Sequence, residues 1–260
     1  PKMKWRRNEP DTLSQVPPVL RIGITGGIGS GKSYVCRQLE AVGHEVFYCD
    51  EEAKRIIRHD ATVQQALRQL VGHEVYDAEG RLVKPVLAAY LCRGREYAAQ
   101  VEAAVAPRVA WACARRAWLK AHRTATAGGS AAGCPAPPSW TAALGGVAPQ
   151  EVPAALGGLL PAAPRICPTR QGCTRPLTLT PADLQQLDPD TTLFMECALL
   201  YESHFDHLVH RVLMVDAPLD VRLQRVMARD KVSEEKARAW MALQMADSEK
   251  RSRADWVVQN

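Results

Sequence analysis

Leu20-Arg21-Ile22-Gly23-Ile24-Thr25, followed at once by Gly26-Gly27-Ile28-Gly29-Ser30-Gly31-Lys32-Ser33, decides the fold class of this chain. The first six residues read as a short strand. The next eight match G-x-x-x-x-G-K-[ST], and a helix with Val35, Cys36, Leu39 and Val42 on one face follows them. Gly43 stands where that helix needs a left-handed cap. Glycines in such a loop let backbone N–H groups turn inward around an anion, and the helix N-terminus adds positive potential. Lys32 is expected to bridge β- and γ-phosphates, and Ser33 to ligate Mg²⁺. The strand–loop–helix context makes this a nucleotide site rather than a glycine turn beside an unrelated lysine.

Working outward, Glu45 to Tyr48 reads as the second strand, and residues 52–122 carry helical patterns. Strands are expected at Thr192 to Met195, Val212 to Val215 and Trp256 to Val258. A helix bearing Val221, Val226 and Met227 stands between the last two. A longer helix should start at Ser233, whose hydroxyl can cap, with Glu234 and Glu235 suited to the first turn. Strands alternating with helices predict an α/β fold: a parallel sheet of about five strands with helices on both faces.

One stretch departs from this pattern. From Thr124 to Pro181 more than half the residues are Ala, Gly or Pro, only four are charged, and no period of 2 or 3.6 persists. The domain reading is therefore an N-terminal extension over 1–19, a nucleotide-binding core over 20–56 and 191–260 with a lid at about 222–247, a helical substrate domain over 57–122, and a mobile insertion over 123–190.

Composition excludes several classes. Apolar residues form 47% and charged residues 23% of the 260, which rules out wholesale disorder, and no apolar run is long enough for a membrane span. The net charge of +5 suits an anionic small ligand and is too diffuse for nucleic acid. Residues 8–16 supply no apolar segment for export, and no cysteine pair has C-x-x-C spacing. The eight cysteines are expected to be reduced, packed thiols of a cytoplasmic protein.

Three further groups of residues carry chemistry. Asp50 follows the second strand, at the carboxyl edge where open α/β sheets bind ligands. It could orient an acceptor hydroxyl or hold the metal's water shell, and it could equally cap the helix after it. Glu196 ends the third strand in the same way. Arg222, Arg225 and Arg229 share one helix face and, beside a phosphate loop, suit a lid that stabilises transferring negative charge. Ala237, Met241 and Met245 form an apolar stripe suited to core or lid packing.

At this point the sequence resembles the dephospho-coenzyme A kinase family. The resemblance rests on Ile24 to Ser33, on Cys49-Asp50-Glu51-Glu52-Ala53, on Asp77-x-x-Gly80-x-Leu82 and on Ala198-Leu199-Leu200-Tyr201-Glu202. It continues through Arg225-x-x-x-Arg229-Asp230, Gln244, Lys250 and Ala254-Asp255-Trp256-Val257-Val258-x-Asn260. It implies a P-loop, nucleoside-monophosphate-kinase-like three-layer fold that transfers the γ-phosphoryl group of ATP to the 3′-hydroxyl of dephospho-CoA. It further implies Lys32, Asp50 and Arg225 as catalytic residues. Gly27, Ile28, Gly29, Ser30, Gly31, Lys32, Ser33, Tyr34, Arg225 and Asn260 would contact ATP, and Ser33 would hold Mg²⁺. Asp50, Lys84, Pro107 and Glu202 would contact dephospho-CoA. A monomer without nucleic-acid or membrane partners is expected.

The chain departs from the family pattern at Tyr48 (an aspartate), Lys84 (an arginine), Ala106 (a histidine) and Ala198 (a proline). Another small-molecule or nucleotide kinase and a non-catalytic nucleotide binder are the alternatives. A GTPase is not, because no N-K-x-D segment exists to read guanine.

Overall fold

The computed structural model describes residues 19–127 and 176–260. Its strands are β1 (Leu20–Thr25), β2 (Glu45–Tyr48), β3 (Leu177–Leu179), β4 (Thr192–Glu196), β5 (Arg211–Asp216) and β6 (Trp256–Gln259). They form one parallel sheet in the order β2-β4-β1-β5-β6-β3. β1 lies between β4 and β5 and is buried at every residue, as a central parallel strand must be.

The period of 2 divides each strand between two layers. Ile22, Ile24, Phe194, Leu213, Val215 and Val258 face one core together with Val35 and Leu39 of α1 (Lys32–Ala41). Met195, Val212, Met214 and Val257 face the other. There they meet the helical layer: α2 (Cys49–His59), α3 (Ala61–Val71), α4 (Lys84–Leu91) and α5 (Arg95–Ala127). Asp60 starts α3 by accepting from the N–H groups of Thr62 and Val63, both at 3.0 Å. Helix α5 runs for 33 residues with Pro107 inside it, where the missing N–H leaves one intrahelical bond unmade.

After the sheet's fifth strand come α7 (Leu219–Asp230), α8 (Glu234–Ala242) and α9 (Asp247–Arg253). Ser233 caps α8 by accepting from the Lys236 N–H at 3.3 Å, as the sequence predicts. The single long helix expected from Ser233 is two helices, broken at residues 243–246.

The structure corrects the reading of 123–190 as an insertion at both its ends. Helix α5 continues to Ala127, and Leu177–Leu179 adds β3 to the sheet beside β6, making six strands instead of five. Thr180 and Asp183 then close a reciprocal capping box on α6 (Pro181–Gln185), and Leu184 is 1% exposed in the core against α1. A three-residue strand and one buried leucine are too few to shift the average of a Pro- and Gly-rich window, so composition hid them. The expected mobility of residues 128–175 falls outside the described residues.

Two smaller differences follow from helix ends. Val42 is the C-cap of α1 and 42% exposed, so it leaves the apolar face assigned to it. Gly43 has φ 93°, the left-handed conformation expected after that helix. Cys36, Cys49, Cys113 and Cys197 are buried free thiols, while Cys92 is exposed.

Candidate functional site

The loop between β1 and α1 closes as the sequence requires. Gly31 occupies the N-cap of α1 at φ 93°, so the first N–H groups of the helix open toward the loop. Around them lies a cavity of about 630 Å³ lined by Gly29, Gly31, Lys32, Ser33, Tyr34, Arg225 and Asn260, all predicted nucleotide contacts. Arg37, Val226 and Arg229 complete it. Asn260 is brought to the loop by β6, where its side-chain amide donates to Ser30 O at 2.9 Å. The Arg225 guanidinium donates to Gly29 O at 3.4 Å.

Three groups in the loop suit a polyphosphate. Ser30 Oγ is buried with no hydrogen-bond partner among the described residues. Lys32 Nζ folds back onto Gly26 O at 2.9 Å and Gly27 O at 3.5 Å, a ready source of charge beside the loop mouth. Burial holds the Lys32 pKa below its usual value. Glu196 and Asp50 counter that shift, and Lys250 adds to it. Ser33, one residue into α1, leaves its hydroxyl exposed at the same mouth.

Two carboxylates stand across from Lys32 at the carboxyl ends of adjacent strands. Tyr48 and Glu196 are register partners in β2 and β4, which places Asp50 and Glu196 at one edge of the sheet. Glu196 is 8% exposed. Burial raises its pKa, Lys32 partly lowers it, and Asp50 raises it further. The alternative reading of Asp50 as a helix cap fails: the N-cap of α2 is Tyr48, with no side-chain cap bond, and Asp50 is exposed in the first turn.

The arginine face proposed as a lid divides by burial. Arg225 and Arg229 border the cavity, and Arg229 pairs with Asp230. Arg222 is 4% exposed: its Nε–H donates to Ile28 O at 2.9 Å and its guanidinium pairs with Asp247. It therefore supports the loop from behind instead of facing the cavity. The apolar stripe divides as well. Ala237 and Met241 pack with Leu223 and Val226, whereas Met245 joins the sheet core.

The predicted dephospho-CoA contacts are less well assembled. Glu202 faces inward: its Oε1 accepts from the Met245 N–H at 2.8 Å and lies 3.3 Å from Lys250 Nζ. Pro107 is buried within α5 and has no N–H to offer, so it can give the substrate no hydrogen-bond donor. Lys84 is exposed at the first residue of α4. A larger cavity of about 740 Å³ lies between β2, α2 and α5, lined by Tyr48, Glu51, Arg55, Arg108 and Trp111 among others, and it takes in none of the phosphate-loop residues. Its size does not outweigh the chemistry gathered at Lys32.

Sequence reasoning passed over Arg37, and it met Lys250 and Gln244 only as residues carrying the resemblance, with no role given to either. Arg37 stands three residues past Tyr34, a helical spacing that a search along α1 could have flagged. Lys250 is fully buried, donating to Ala198 O at 2.9 Å, and Gln244 Oε1 accepts from the Ile28 N–H at 2.9 Å. Neither position carries a local signal of burial.

Comparison with known proteins agrees with this geometry. The dephospho-CoA kinase family pattern matches residues 20–126 and 177–260, the two stretches that form the sheet and its helices. The chain belongs to the dephospho-CoA kinase family. A dephospho-CoA kinase of Bacteroides fragilis (strain YCH46) is 31% identical over 241 residues, covering 93% of this chain and 84% of the relative. One from Corynebacterium diphtheriae is 27% identical over 239 residues, covering 92% and 87%. The crystal structure of TT1252 from Thermus thermophilus superposes with a TM-score of 0.57 at 27% identity, over 94% of this chain and 90% of that one. As in the rest of a kinase family, ATP is the phosphoryl donor. Among the described residues no helix is long and apolar enough to cross a membrane.

Proposed function

We propose that this chain transfers the γ-phosphoryl group of ATP to the ribose 3′-hydroxyl of dephospho-CoA, forming CoA and ADP. The observation that carries the reading is the meeting of Lys32 with Asp50 and Glu196 at the carboxyl edge of the sheet, beside the loop whose Ser30 hydroxyl lacks a partner. In the transfer, the acceptor oxygen bonds to the γ-phosphorus while the bond from that phosphorus to the β,γ-bridging oxygen breaks. Asp50, exposed in the first turn of α2, orients the 3′-hydroxyl and takes its proton. The loop N–H groups and Lys32 hold the charge that spreads over the phosphoryl oxygens, and Arg225 adds to it from α7.

Mg²⁺ would suit the same donors, with the Ser33 hydroxyl as direct ligand and the Asp50 and Glu196 carboxylates, at the same sheet edge, as partners for its waters. When bound it neutralises charge on the β- and γ-phosphate oxygens. The helical layer of α2 to α5 is the part that would receive dephospho-CoA, with Lys84 at its surface as a contact to the substrate's diphosphate. The enzyme would act as a cytoplasmic monomer.

The test is a coupled ADP-release assay that offers dephospho-CoA, nucleoside monophosphates and shikimate in parallel. Turnover confined to dephospho-CoA, with the product phosphorylated at the 3′ position, supports the reading. Preference for a nucleoside monophosphate or shikimate overturns it.

A further inference from the structure

Ile28, in the middle of the phosphate loop, is held at every polar atom it owns. Its N–H donates to Gln244 Oε1 and its carbonyl accepts from Arg222 Nε, both at 2.9 Å. Its side chain packs into the small apolar cluster of Leu223, Val226 and Ala237, with Trp240 and Met241 at the margin. Every one of these partners comes from residues 222–247, the segment read from the sequence as the lid. The two ends of that segment are also joined to each other, because the Arg222 guanidinium forms an ion pair with Asp247.

Steric contact completes the arrangement. A Cβ built on Gly27 would lie 2.1 Å from Arg222 Nη2, 2.6 Å from Cζ and 2.8 Å from Asp247 Oδ1. One built on Gly29 would lie 2.6 Å from the Arg222 carbonyl oxygen. The loop and α7 are thus as close as two backbones with an intervening guanidinium allow. Arg222 is 4% exposed and does not border the nucleotide cavity. It acts on the loop from outside that cavity.

We propose that Arg222, Asp247 and Gln244 are positioning residues that lock the phosphate loop to the base of the lid, so that the pitch of the Gly27–Gly29 peptides is set by the lid and not by the loop alone. The proposal rests on the reading of this loop as the ATP site. A loop freed at Ile28 would still bind the polyphosphate through Lys32 and the α1 N-terminus. It would hold the transferring group less accurately, and displacement of reacting atoms by about 1 Å is worth on the order of a hundredfold in rate.

The test uses Arg222→Met, which keeps the apolar stem and loses both polar contacts, and Gln244→Leu, which loses only the acceptor for the Ile28 N–H. Expected for Arg222→Met is a fall in kcat of about 10- to 100-fold with the ATP Kd changed by less than about threefold. Gln244→Leu should move in the same direction by about 3- to 10-fold. The double variant should lose less than the product of the two, because both act on one peptide. Asp247→Asn retains an acceptor for the guanidinium and should keep kcat within about threefold of wild type, whereas Asp247→Ala should fall toward Arg222→Met.

Hydrogen exchange supplies a readout independent of turnover: amides of residues 27–31 should exchange at least about tenfold faster in Arg222→Met and Gln244→Leu, with α3 and α4 unchanged. Unaltered exchange at the loop, or ATP Kd rising in step with the loss of kcat, overturns the proposal. So does an unchanged kcat accompanied by a lower melting temperature. If Arg222→Met does not fold, Gln244→Leu at its half-exposed site carries the same outcomes. Wild-type protein that binds ATP but phosphorylates no acceptor would overturn the functional reading instead, and loop exchange would still decide this one.

Discussion

Replacing Lys250 by Met should destabilise the protein far more than any surface charge would. The ammonium group is fully buried, donating to Ala198 O at 2.9 Å and standing 3.3 Å from Glu202 Oε1. Met preserves the unbranched stem, so little packing is lost. What remains is the Glu202 carboxylate, 22% exposed, with the Met245 N–H on one oxygen and the other oxygen buried without a partner among the described residues. Breaking one side of a buried pair costs about 3–5 kcal/mol, and the partial exposure of Glu202 places this case near 3. For a chain of this size that is a fall in melting temperature of roughly 6–12 °C.

The assay is urea unfolding of the wild type, Lys250→Met, Glu202→Gln and the double variant, with all four m-values compared. In the double variant no buried carboxylate is left unpaired, so about 2 kcal/mol of the single-variant loss should return. A Lys250→Met protein within 1 kcal/mol of wild type, or strictly additive single and double losses, would refute the reasoning. Either result would mean that water or relaxation already screens the pair.

Three other outcomes are expected. Asp50→Asn should lower kcat by about 10²–10⁴ while ATP affinity and melting temperature stay near wild type, because Asp50 is exposed and caps nothing; steady-state kinetics with a thermal melt checks this, and a normal kcat would remove Asp50 as the base. Burial and the neighbouring Arg21 and Arg211 push His210 down to about 3, below its unfolded value near 6.5. The unfolded chain therefore binds the extra proton between those values, and stability present above pH 6.5 is lost as pH falls through that window. His210→Asn, whose amide oxygen can still accept the Arg21 N–H that now reaches Nδ1 at 3.1 Å, should recover at most about 2 kcal/mol relative to wild type at pH 5 and little at pH 7.5, measured by urea unfolding at both. Exchanging residues 128–175 for a short Gly/Ser linker should leave nucleotide binding intact, whereas deleting 124–181 should cost about 1 kcal/mol or more, since it removes β3 and the Thr180 cap; equal melting temperatures for the two chains would contradict the role given to β3.

The phosphate loop was legible because its function is a property of local backbone. Glycine spacing, a strand before it and a helix after it are all written between Leu20 and Ala41. The five longer strands were legible for the same reason, each being a short apolar run between helical patterns. β3 was not, because a strand of three residues exists only by pairing with β6, some eighty positions later in the chain. Asp50 was ambiguous in sequence, since any acidic residue after a strand can cap the next helix. Only the backbone at Tyr48, which takes the N-cap position itself, separates the two readings. Arg222 and Arg225 illustrate a further limit. They are three residues apart on one helix face, and nothing local distinguishes them. The buried one is chosen by Asp247 and Ile28, which reach it from different parts of the chain.

Gly27 shows how two physical causes can look alike in a motif. The consensus leaves its position free, and the backbone there is not among those with positive φ, so no conformational rule demands glycine. Gly31, by contrast, needs its φ of 93° to begin α1 and would be kept for that reason in any loop of this shape. What excludes a side chain at Gly27 is Arg222, whose guanidinium occupies the space a Cβ would take. The two residues are therefore coupled: a side chain at position 27 would require the Arg222 guanidinium to shift from its place beside Asp247. That coupling ties a residue of the loop to a residue of α7 nearly two hundred positions away. It is a packing constraint, and a motif search that scores each position by itself has no means of seeing it.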